Sequence, residues 1–242
     1  MSQISIPIYV ICWNNGFMVK RTVNTCFNKW PNCPITVFDN ASTHETTLEI
    51  LKQLESENKC KVIHHETNKY MYFIQRDPLY EKERESFYIL TDPDLELENL
   101  PEDTIDSLYN ICMTQNCQKA GLALNISDTE DIFSEPIPDC NIQIISNERQ
   151  FWNNRISHEK YEMYNAPIDT TFCMKNPKVN CDIFERCIRL AGNYTVKHLP
   201  WHKSYIKSLS KDEYYYFANT PTGTARLIRK YVDEHVPHLI ST

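Results

Sequence analysis

The chain has 242 residues, of which 41% are hydrophobic and 24% are charged, so a globular domain is expected and wholesale disorder is excluded. The formal net charge is −7 and no cluster of Lys and Arg stands out, which argues against a nucleic acid as the main partner. The four glycines are dispersed, so the sequence contains neither a P-loop nor a GxGxxG turn. If the protein binds a diphosphate, groups other than the backbone amides of a glycine-rich loop must therefore neutralise its negative charge.

The first apolar run, residues 4–12, is too short to cross a bilayer and is predicted to be a buried strand. No signal peptide or transmembrane segment is recognisable. The ten cysteines include no CxxC pair, which gives a structural zinc site little support. We therefore expect reduced thiols and a cytoplasmic location.

Apolar runs alternate with helical patterns over the first 126 residues. Strands are predicted at 6–13, 34–38, 61–64, 87–90 and 121–126. Helices are predicted over 17–30, from a cap at Ser42 or Thr43 to about residue 54, and over 102–114. This alternation predicts an α/β fold, with a mainly parallel sheet that has helices on both faces.

The pattern is looser in the second half. Residues 127–147 are acidic and contain proline, so we expect a long surface loop there, a candidate lid. Further strands are predicted at 168–174 and 183–190, and a helix over 224–234. With no repeat or linker, a single domain is the economical prediction.

The sharpest local feature is Asp92-Pro93-Asp94, which directly follows a buried strand. Two carboxylates separated by one residue can share a hard cation such as Mg²⁺ or Mn²⁺, which in turn bridges to phosphates. In open α/β sheets, ligands bind at the carboxyl ends of the strands. The alternative is a helix-capping turn, because Asp-Pro commonly starts helices.

Polar and aromatic residues also follow the first two predicted strands. Cys12, Trp13 and Asn14 follow the first strand, and Asp39 follows the second; these groups suit a base or a ribose at the sheet edge. By itself each is an ordinary strand-to-helix turn. Asn68 and Arg76, between the third and fourth strands, are further candidates for the nucleotide, with solvated helix residues as the alternative.

These segments together resemble the family 2 nucleotide-sugar glycosyltransferases, which adopt the GT-A fold, a Rossmann-like α/β architecture. The matching segments are IPIYVICWNN, VFDNAST and LTDPD, and the later YNAPIDTTF and AGNYTVKHLPWH resemble a bacterial and viral-type branch of that family. The chain departs from the family where two adjacent acids are usual, because Phe38 leaves Asp39 as the only carboxylate. Asn40 and Ala41 also replace the usual glycine.

The resemblance implies roles residue by residue. Asp92 and Asp94 would hold Mn²⁺ or Mg²⁺, with Asp92 also near the nucleotide, and His198 would be a further metal contact. Asp169 would be the general base that takes the proton from the acceptor hydroxyl. The alternatives are a strand-start acid with local hydrogen bonds for Asp169 and a satisfied core histidine for His198.

Three residues of the second half are candidates for contacts with the sugar or the acceptor. Trp152 and Trp201 are candidate stacking platforms for a sugar, and His202 is a candidate for a metal, phosphate or acceptor contact, with His198 favoured for the metal. Each has an ordinary core residue as its alternative.

The predicted function is therefore a metal-dependent, inverting glycosyltransferase that uses a nucleotide-sugar, with a UDP-sugar preferred, and a glycan, lipid-linked or protein acceptor. Residues 1–126 would form the nucleotide-binding half and residues 127–242 the acceptor-binding and catalytic half. Two alternatives remain open: a nucleotidyltransferase acting on sugar phosphates, and a non-catalytic relative that binds a glycan or a partner.

Overall fold

The strands in the described part of the chain all lie in one sheet. The computed structural model describes residues 4–71, 73–138, 140–182 and 184–240. The strands of this part are β1 (Ile8–Cys12), β2 (Ile35–Asp39), β3 (Lys61–His64), β4 (Tyr88–Thr91), β5 (Lys119–Leu122), β6 (Arg155–Ile156), β7 (Met163–Asn165), β8 (Cys173–Lys175) and β9 (Cys187–Leu190). Their order across the sheet is β3-β2-β1-β4-β8-β5-β9-β7-β6.

Short and medium helices connect these strands. They are α1 (Gly16–Lys29), α2 (Glu45–Ser56), α3 (Phe73–Arg76), α4 (Glu81–Arg84), α5 (Thr104–Thr114), α6 (Ile144–Arg149), α7 (Lys203–Ser208), α8 (Lys211–Asn219) and α9 (Gly223–His235). Single 3₁₀ turns occur at Pro78–Tyr80, Gln150–Trp152, Gly192–Tyr194, Leu199–Trp201 and Pro237–Leu239.

The sheet is mostly parallel, as predicted. Among the described strands, β7 and β8 run against the other seven, as the parallel and antiparallel pairings show. The first four strands run parallel, and Cys12, Asp39 and His64 are in register at their carboxyl ends. This arrangement gathers the ends of β1, β2, β3 and β4 at one edge of the sheet, which we call the carboxyl edge.

Helices cover both faces of the sheet, which confirms that prediction. Val19 of α1, Leu51 of α2 and Leu108 of α5 belong to one core cluster with residues of β1 and β4. On the other face, Phe73 of α3 and the buried Tyr80 pack with side chains of β1, β2 and β4. The apolar runs are continuous because the strands are buried on both sides.

Strand β8 comes from the second half of the chain but lies between β4 and β5. A close approach at Gly121 allows this insertion, since a Cβ on Gly121 would lie 2.8 Å from the Cβ of Cys173. The prediction of a strand over 168–174 is wrong in extent, because Phe172 has a positive φ of 43° and the strand begins only at Cys173. Residue 183, the start of another predicted strand, lies outside the described residues, and β9 begins at Cys187.

The predicted cap of α2 is also wrong. The N-cap residue is His44, and its side chain makes no capping hydrogen bond. Instead, Asn14 reaches across from the end of β1, and its Oδ1 accepts hydrogen bonds from the backbone N–H groups of Thr43 (2.7 Å) and His44 (2.9 Å). The Ser42 hydroxyl accepts the N–H of Asn14 (2.8 Å) rather than capping the helix.

The expectation of a long surface loop over 127–147 is wrong in part. Ile132 and Phe133 are buried in a second core cluster with α7, α8 and α9, and α6 begins at Ile144. The backbone of Phe133 bonds the carbonyl of Trp201 (3.1 Å). No helix in the described ranges is both long and apolar enough to cross a membrane.

Candidate functional site

Five of the predicted site residues line one cavity of about 270 Å³ beside the end of β4. They are Asp92, Asp94, Asp169, His198 and Trp201. Their segments are far apart in sequence and meet here because β8 is inserted next to β4 and because Leu95 and His198 form an antiparallel bridge. The remaining wall includes Glu148, Phe151, Thr170, Phe184 and Arg189.

The loop that carries the two aspartates is fixed from both sides. The hydroxyl of Thr22 in α1 donates to the carbonyl of Pro93 (2.8 Å). On the other side, the N–H of Asp92 bonds the carbonyl of Thr170 (3.1 Å), and the Thr170 hydroxyl donates to Asp92 Oδ2. The Asp92 carboxylate is therefore held in one orientation by the segment that precedes β8.

Asp94 and His198 form the second part of the site. His198 Nε2 lies 3.2 Å from Asp94 Oδ2, and the backbone N–H of Leu199 bonds the Asp94 carbonyl (2.8 Å). Asp94 Oδ1 and His198 Nδ1 are buried and have no hydrogen-bond partner among the described residues. A buried carboxylate oxygen without a donor is costly, so this atom suits a cation that completes its coordination.

The electrostatics of the cavity point the same way. Burial, and then the nearby carboxylates of Asp94 and Asp169, raise the pKa of Asp92 above its usual range. Burial lowers the pKa of His198, but the carboxylates of Asp94, Asp92 and Asp169 outweigh it, and the net shift is upward. The neighbouring carboxylates contribute to both shifts, after burial in the case of Asp92 and against burial in the case of His198. The oxygen-rich donor set with one imidazole fits Mn²⁺ or Mg²⁺.

Asp128, Asp131 and His202 form another group that could hold a metal, since their ligand atoms lie within 4.8 Å of one another. Both oxygens of Asp131 already accept hydrogen bonds, from the backbone and hydroxyl of Ser204 (2.7 and 2.6 Å) and from His202 Nδ1 (3.0 Å). The group ties the 131–133 segment to the start of α7. His202 is 1% exposed and lies in this group.

Asp169 is exposed at the mouth of the cavity, and its Oδ1 accepts the N–H of Thr170 (2.7 Å). The segment before it is held by Arg189, whose Nε donates to the carbonyl of Pro167 (2.9 Å) and whose Nη1 pairs with buried Glu148. Burial raises the pKa of Glu148 to about 7, and the charge of Arg189 opposes that rise. This buried ion pair sets the position of the candidate base.

The two predicted tryptophans have different surroundings. Trp201 lines the cavity and its ring centroid lies 4.5 Å from that of His198. Trp152 instead packs against Tyr164, at 5.1 Å between centroids, in a small apolar cluster. Its neighbour Phe151 is the ring that faces the cavity, and it lies 4.1 Å from the Arg189 guanidinium carbon.

The ends of β1, β2 and β3 form a second polar row along the carboxyl edge. Asp39 is 2% exposed; its Oδ1 accepts the N–H of Ser42 (3.1 Å) and its Oδ2 lies 2.8 Å from His64 Nδ1. Burial, followed by the charge of Asp39, raises the pKa of Cys12 to about 12, so its thiol stays neutral. His64 is more than half exposed and joins Asp39 in this row.

The other predicted nucleotide contacts are distributed around this row. Trp13 is half-buried at the end of β1, whereas the Asn14 side-chain carbonyl is already used by the α2 turn. Asn68 Oδ1 accepts the N–H of Tyr70 (2.8 Å) within its own turn. Arg76 is exposed and lines cavities other than the one at Asp92 and Asp94.

Two tyrosines that sequence analysis did not single out lie near the aspartates. Burial, then the charges of Asp94 and Asp92, raise the pKa of Tyr216 in α8. Burial raises the pKa of Tyr205 in α7, and Asp94 contributes. Helix α8 is anchored to the start of α2, because the rings of Tyr215 and His44 stack with centroids 3.8 Å apart. Tyr216 therefore lies within electrostatic reach of both aspartates and of Cys12 at the end of β1.

Comparison with known proteins gives a family match in the first half of the chain. Residues 8–100 match the model for glycosyl transferase family 2. This range contains the ends of β1 and β2 and both aspartates of the Asp-Pro-Asp motif. A search of curated proteins gave no match.

Several solved structures are similar. The chain is 12% identical to GalNAc-T7, solved with UDP, GalNAc and Mn²⁺, with a TM-score of 0.51; 96% of this chain and 54% of that one are covered. S. aureus TarS residues 1–349 is 11% identical to this chain, with a TM-score of 0.47; 96% of this chain and 73% of that one are covered. The mannosyltransferase PcManGT from Pyrobaculum calidifontis, in complex with GDP-Man and Mn²⁺, is 10% identical, with a TM-score of 0.48; 97% of this chain and 71% of that one are covered. The GT-A fold and the resemblance to family 2 glycosyltransferases are confirmed.

Proposed function

We propose that this chain, a glycosyltransferase of the GT-A fold that resembles family 2, transfers a sugar from a nucleotide-sugar, preferably a UDP-sugar, to an acceptor hydroxyl with inversion at the anomeric carbon. The acceptor would be a glycan, a lipid-linked sugar or a protein. One observation carries the proposal: a single cavity contains Asp92, Asp94 and His198, whose buried atoms lack partners, together with the exposed carboxylate of Asp169. Ligands for a cation and a base for the acceptor thus share one space.

Asp92, Asp94 and His198 would hold Mn²⁺ or Mg²⁺. A bound cation of this kind neutralises a diphosphate and stabilises the charge that develops on it as it leaves. Asp94 Oδ1 is poised for this role because it is buried without a donor among the described residues. Thr170 keeps the Asp92 carboxylate from rotating, since its hydroxyl donates to Asp92 Oδ2. Glycine-rich phosphate loops are missing from the sequence, which fits metal-based binding of the diphosphate.

Asp169 would act as the general base. Its carboxylate takes the proton from the acceptor hydroxyl while that oxygen bonds to the anomeric carbon and the bond to the diphosphate oxygen breaks. Attack opposite the leaving group inverts the anomeric configuration. Asp169 suits this role because it is exposed at the mouth of the cavity, whereas Asp92 and Asp94 are partly covered. Arg189 positions it by holding the carbonyl of Pro167 (2.9 Å).

The nucleotide would lie along the carboxyl edge, beside the aspartates. Asp39 offers a carboxylate for the base or ribose, and half-buried Trp13 offers a flat face for stacking. The UDP and Mn²⁺ in the GalNAc-T7 structure support this choice of ligand. Residues 1–126 would then form the donor half, and residues 127–242, with Trp201 on the cavity wall, the acceptor half.

A thermal-shift titration with UDP, GDP and their sugar conjugates, with and without Mn²⁺, tests the proposal. We expect the melting temperature to rise only when nucleotide and Mn²⁺ are both present, and we expect Asp94→Asn to abolish the metal-dependent part. Asp128→Asn is the matched control, because Asp128 belongs to the other acidic group near His202. A shift that survives Asp94→Asn and disappears in Asp128→Asn would assign the metal to that other group and refute this one.

Product analysis separates the proposed reaction from its alternatives. We expect release of a nucleoside diphosphate and appearance of a glycosylated acceptor when a panel of nucleotide-sugars is supplied. Pyrophosphate release from a nucleoside triphosphate and a sugar phosphate would instead indicate a nucleotidyltransferase. Intact binding of nucleotide and metal with no turnover across the panel would indicate a non-catalytic binding protein.

A further inference from the structure

A second cavity, of about 830 Å³, lies at the opposite end of β4 and is independent of the proposed function. Tyr88, the first residue of β4, and Lys175, the last residue of β8, line it and are paired in register. Lys119 of β5 is in turn paired with Lys175. Residues paired across neighbouring strands point to the same face of the sheet, so the side chains of Tyr88, Lys175 and Lys119 share one face here.

The two lysines lack acidic partners. Lys119 is 1% exposed, and its Nζ donates to the carbonyl of Ile168 (2.9 Å). Within the described chain, Lys175 Nζ has no hydrogen-bond or ion-pair partner, and no carboxylate lies within 4 Å of either amine. Burial, and then the charge of Lys119, lower the pKa of Lys175 to about 8. Lys175 is half-buried, and a cation that is partly removed from water beside a second, buried lysine is normally paired, so this lining suits an anion.

Two neutral groups on the same wall are also unsatisfied. Tyr88 is 1% exposed and Gln118 is 2% exposed; the Tyr88 hydroxyl and Gln118 Oε1 have no partner in the part of the chain that the structure describes. Gln118 Nε2 donates to the carbonyl of Cys181, and this bond identifies the unsatisfied atom as the amide oxygen. The cavity therefore offers a buried hydroxyl donor and a buried acceptor beside a cation.

The remaining charges around the cavity fit an anion. Arg84 lines the wall, and its Nη1 is fixed by the carbonyls of Ile74 and Asp77 (2.8 Å each). The acidic residues of the lining, Asp182 and Glu185, are exposed, and neither forms an ion pair with the lysine among the described residues. The lining thus combines two half-buried cationic side chains, Arg84 and Lys175, with two acids that are exposed to solvent.

We propose that this cavity binds a phosphate group, with Lys175, Arg84 and the Tyr88 hydroxyl donating to its oxygens and Gln118 Oε1 accepting its P–OH proton. Inorganic phosphate carries acceptor oxygens and keeps at least one protonated oxygen throughout the neutral pH range, whereas a phosphate monoester keeps a P–OH proton only in its monoanion, whose pKa is about 6. Sulfate has the same shape and charge range but no proton to donate. The unsatisfied amide oxygen therefore favours phosphate over sulfate.

Calorimetric titration with inorganic phosphate, in a phosphate-free buffer with EDTA, tests this site. Wild-type protein and Asp94→Asn should both bind phosphate, since the site needs no divalent cation. Lys175→Gln should weaken binding by about tenfold or more, and Tyr88→Phe, which removes one oxygen, by about three- to tenfold. Lys178→Gln is the matched control, because Lys178 is an exposed lysine on the same segment, and it should bind as the wild type does.

Parallel titrations identify the source of the phosphate. Tighter binding of glucose 1-phosphate than of inorganic phosphate would indicate a phosphate group on a larger molecule, and equal binding would indicate free phosphate. Three results would overturn the proposal: no saturable binding by the wild type, unchanged binding by Lys175→Gln, or loss of binding when UDP and Mn²⁺ are present. The last would place the anion in the donor cavity. The phosphate site is tested with the Lys175 variant and the metal site with the Asp94 variant. A failure of the phosphate proposal therefore does not affect the proposed function.

Discussion

The two cavities at opposite ends of β4 differ in the kind of atom that each leaves unsatisfied. Beside Asp92 the buried atom without a partner is a carboxylate oxygen of Asp94. Beside Tyr88 the buried atoms without a partner are the tyrosine hydroxyl and Gln118 Oε1, and the half-buried amine of Lys175 lines the same cavity. The first deficit calls for a cation and the second for an anion. Phe184 lines both cavities, so one exposed ring separates two sites of opposite polarity.

This contrast shows that a strand can carry unlike sites when its ends face different surroundings. At the carboxyl end, strand ends and loops bring acids together. At the other end, the antiparallel insertion of β8 brings Lys175 next to Lys119. Both the cluster of acids and the pair of lysines lower the stability of the fold, because like charges that are buried together repel one another. Residues that cost stability in this way are often retained for binding.

The contrast between the two cavities can be tested by mutation, and the largest effect is expected on catalysis when Asp169 at the first cavity is replaced. Asp169→Asn should lower kcat by about a thousandfold, because general-base catalysis contributes roughly 10²–10⁴ to rates. The KM for the donor should stay close to the wild-type value, since Asp169 would contact the acceptor and not the nucleotide. Steady-state assays with the donor identified by the thermal-shift screen measure both constants. Unchanged kcat with intact metal-dependent binding would remove Asp169 from the mechanism.

An intermediate effect is expected from the ion pair that positions Asp169. Arg189→Met should destabilise the fold by about 3 kcal/mol, because it leaves Glu148 buried without its partner, and breaking a buried pair typically costs 3–5 kcal/mol. Urea denaturation measures the loss. The control is Lys160→Met, which removes an exposed pair with Asp103 and should cost less than about 1 kcal/mol. Equal losses in the two variants would mean that the Arg189 pair has no special structural role.

The smallest effect, with the opposite sign, is expected at Lys175. Its pKa in the folded protein is lowered to about 8, so below pH 8 the fold bears the cost of a buried charge. Lys175→Met should therefore stabilise the protein by about 1–2 kcal/mol at pH 7 in phosphate-free buffer. Between pH 8 and the unfolded-state pKa the unfolded chain binds more protons, so wild-type stability rises and the gain from the variant shrinks. Thermal melts of Lys175→Met and the wild type between pH 7 and the unfolded-state pKa measure this gain in stability, with Lys178→Met as the control. A Lys175→Met variant that is less stable than the wild type at pH 7 would contradict the prediction.

The sequence predicted the first half of the fold well because its strands are buried on both faces and appear as continuous apolar runs. It missed β6 and β7, which are only two and three residues long and carry no clear periodicity. It also missed α8, in which three consecutive tyrosines obscure the apolar face. A signal was present, however, since Ser210 and Glu213 form a capping box at its start.

The grouping of residues in the candidate site was predictable where a motif and a strand end coincide. Asp92 and Asp94 follow a buried strand, and the family resemblance added Asp169 and His198, which line the same cavity. Other contributions depend on tertiary packing and left no pattern in the sequence. Tyr216 feels the charges of the aspartates through the packing of α8, whose Tyr215 stacks on His44 at the start of α2. Lys175 and Lys119, 56 residues apart, become neighbours only through the insertion of β8.

The central claim is that a divalent cation bound by the two aspartates around Pro93 holds the diphosphate of the donor. Crystals grown with MnCl₂ and the nucleotide that gives the largest thermal shift would locate the metal by its anomalous scattering. We expect one strong peak within coordination distance, about 2.0–2.6 Å, of carboxylate oxygens of Asp92 or Asp94, next to the pyrophosphate. A peak between Asp128 and His202, or a pyrophosphate bound far from both aspartates, would contradict it.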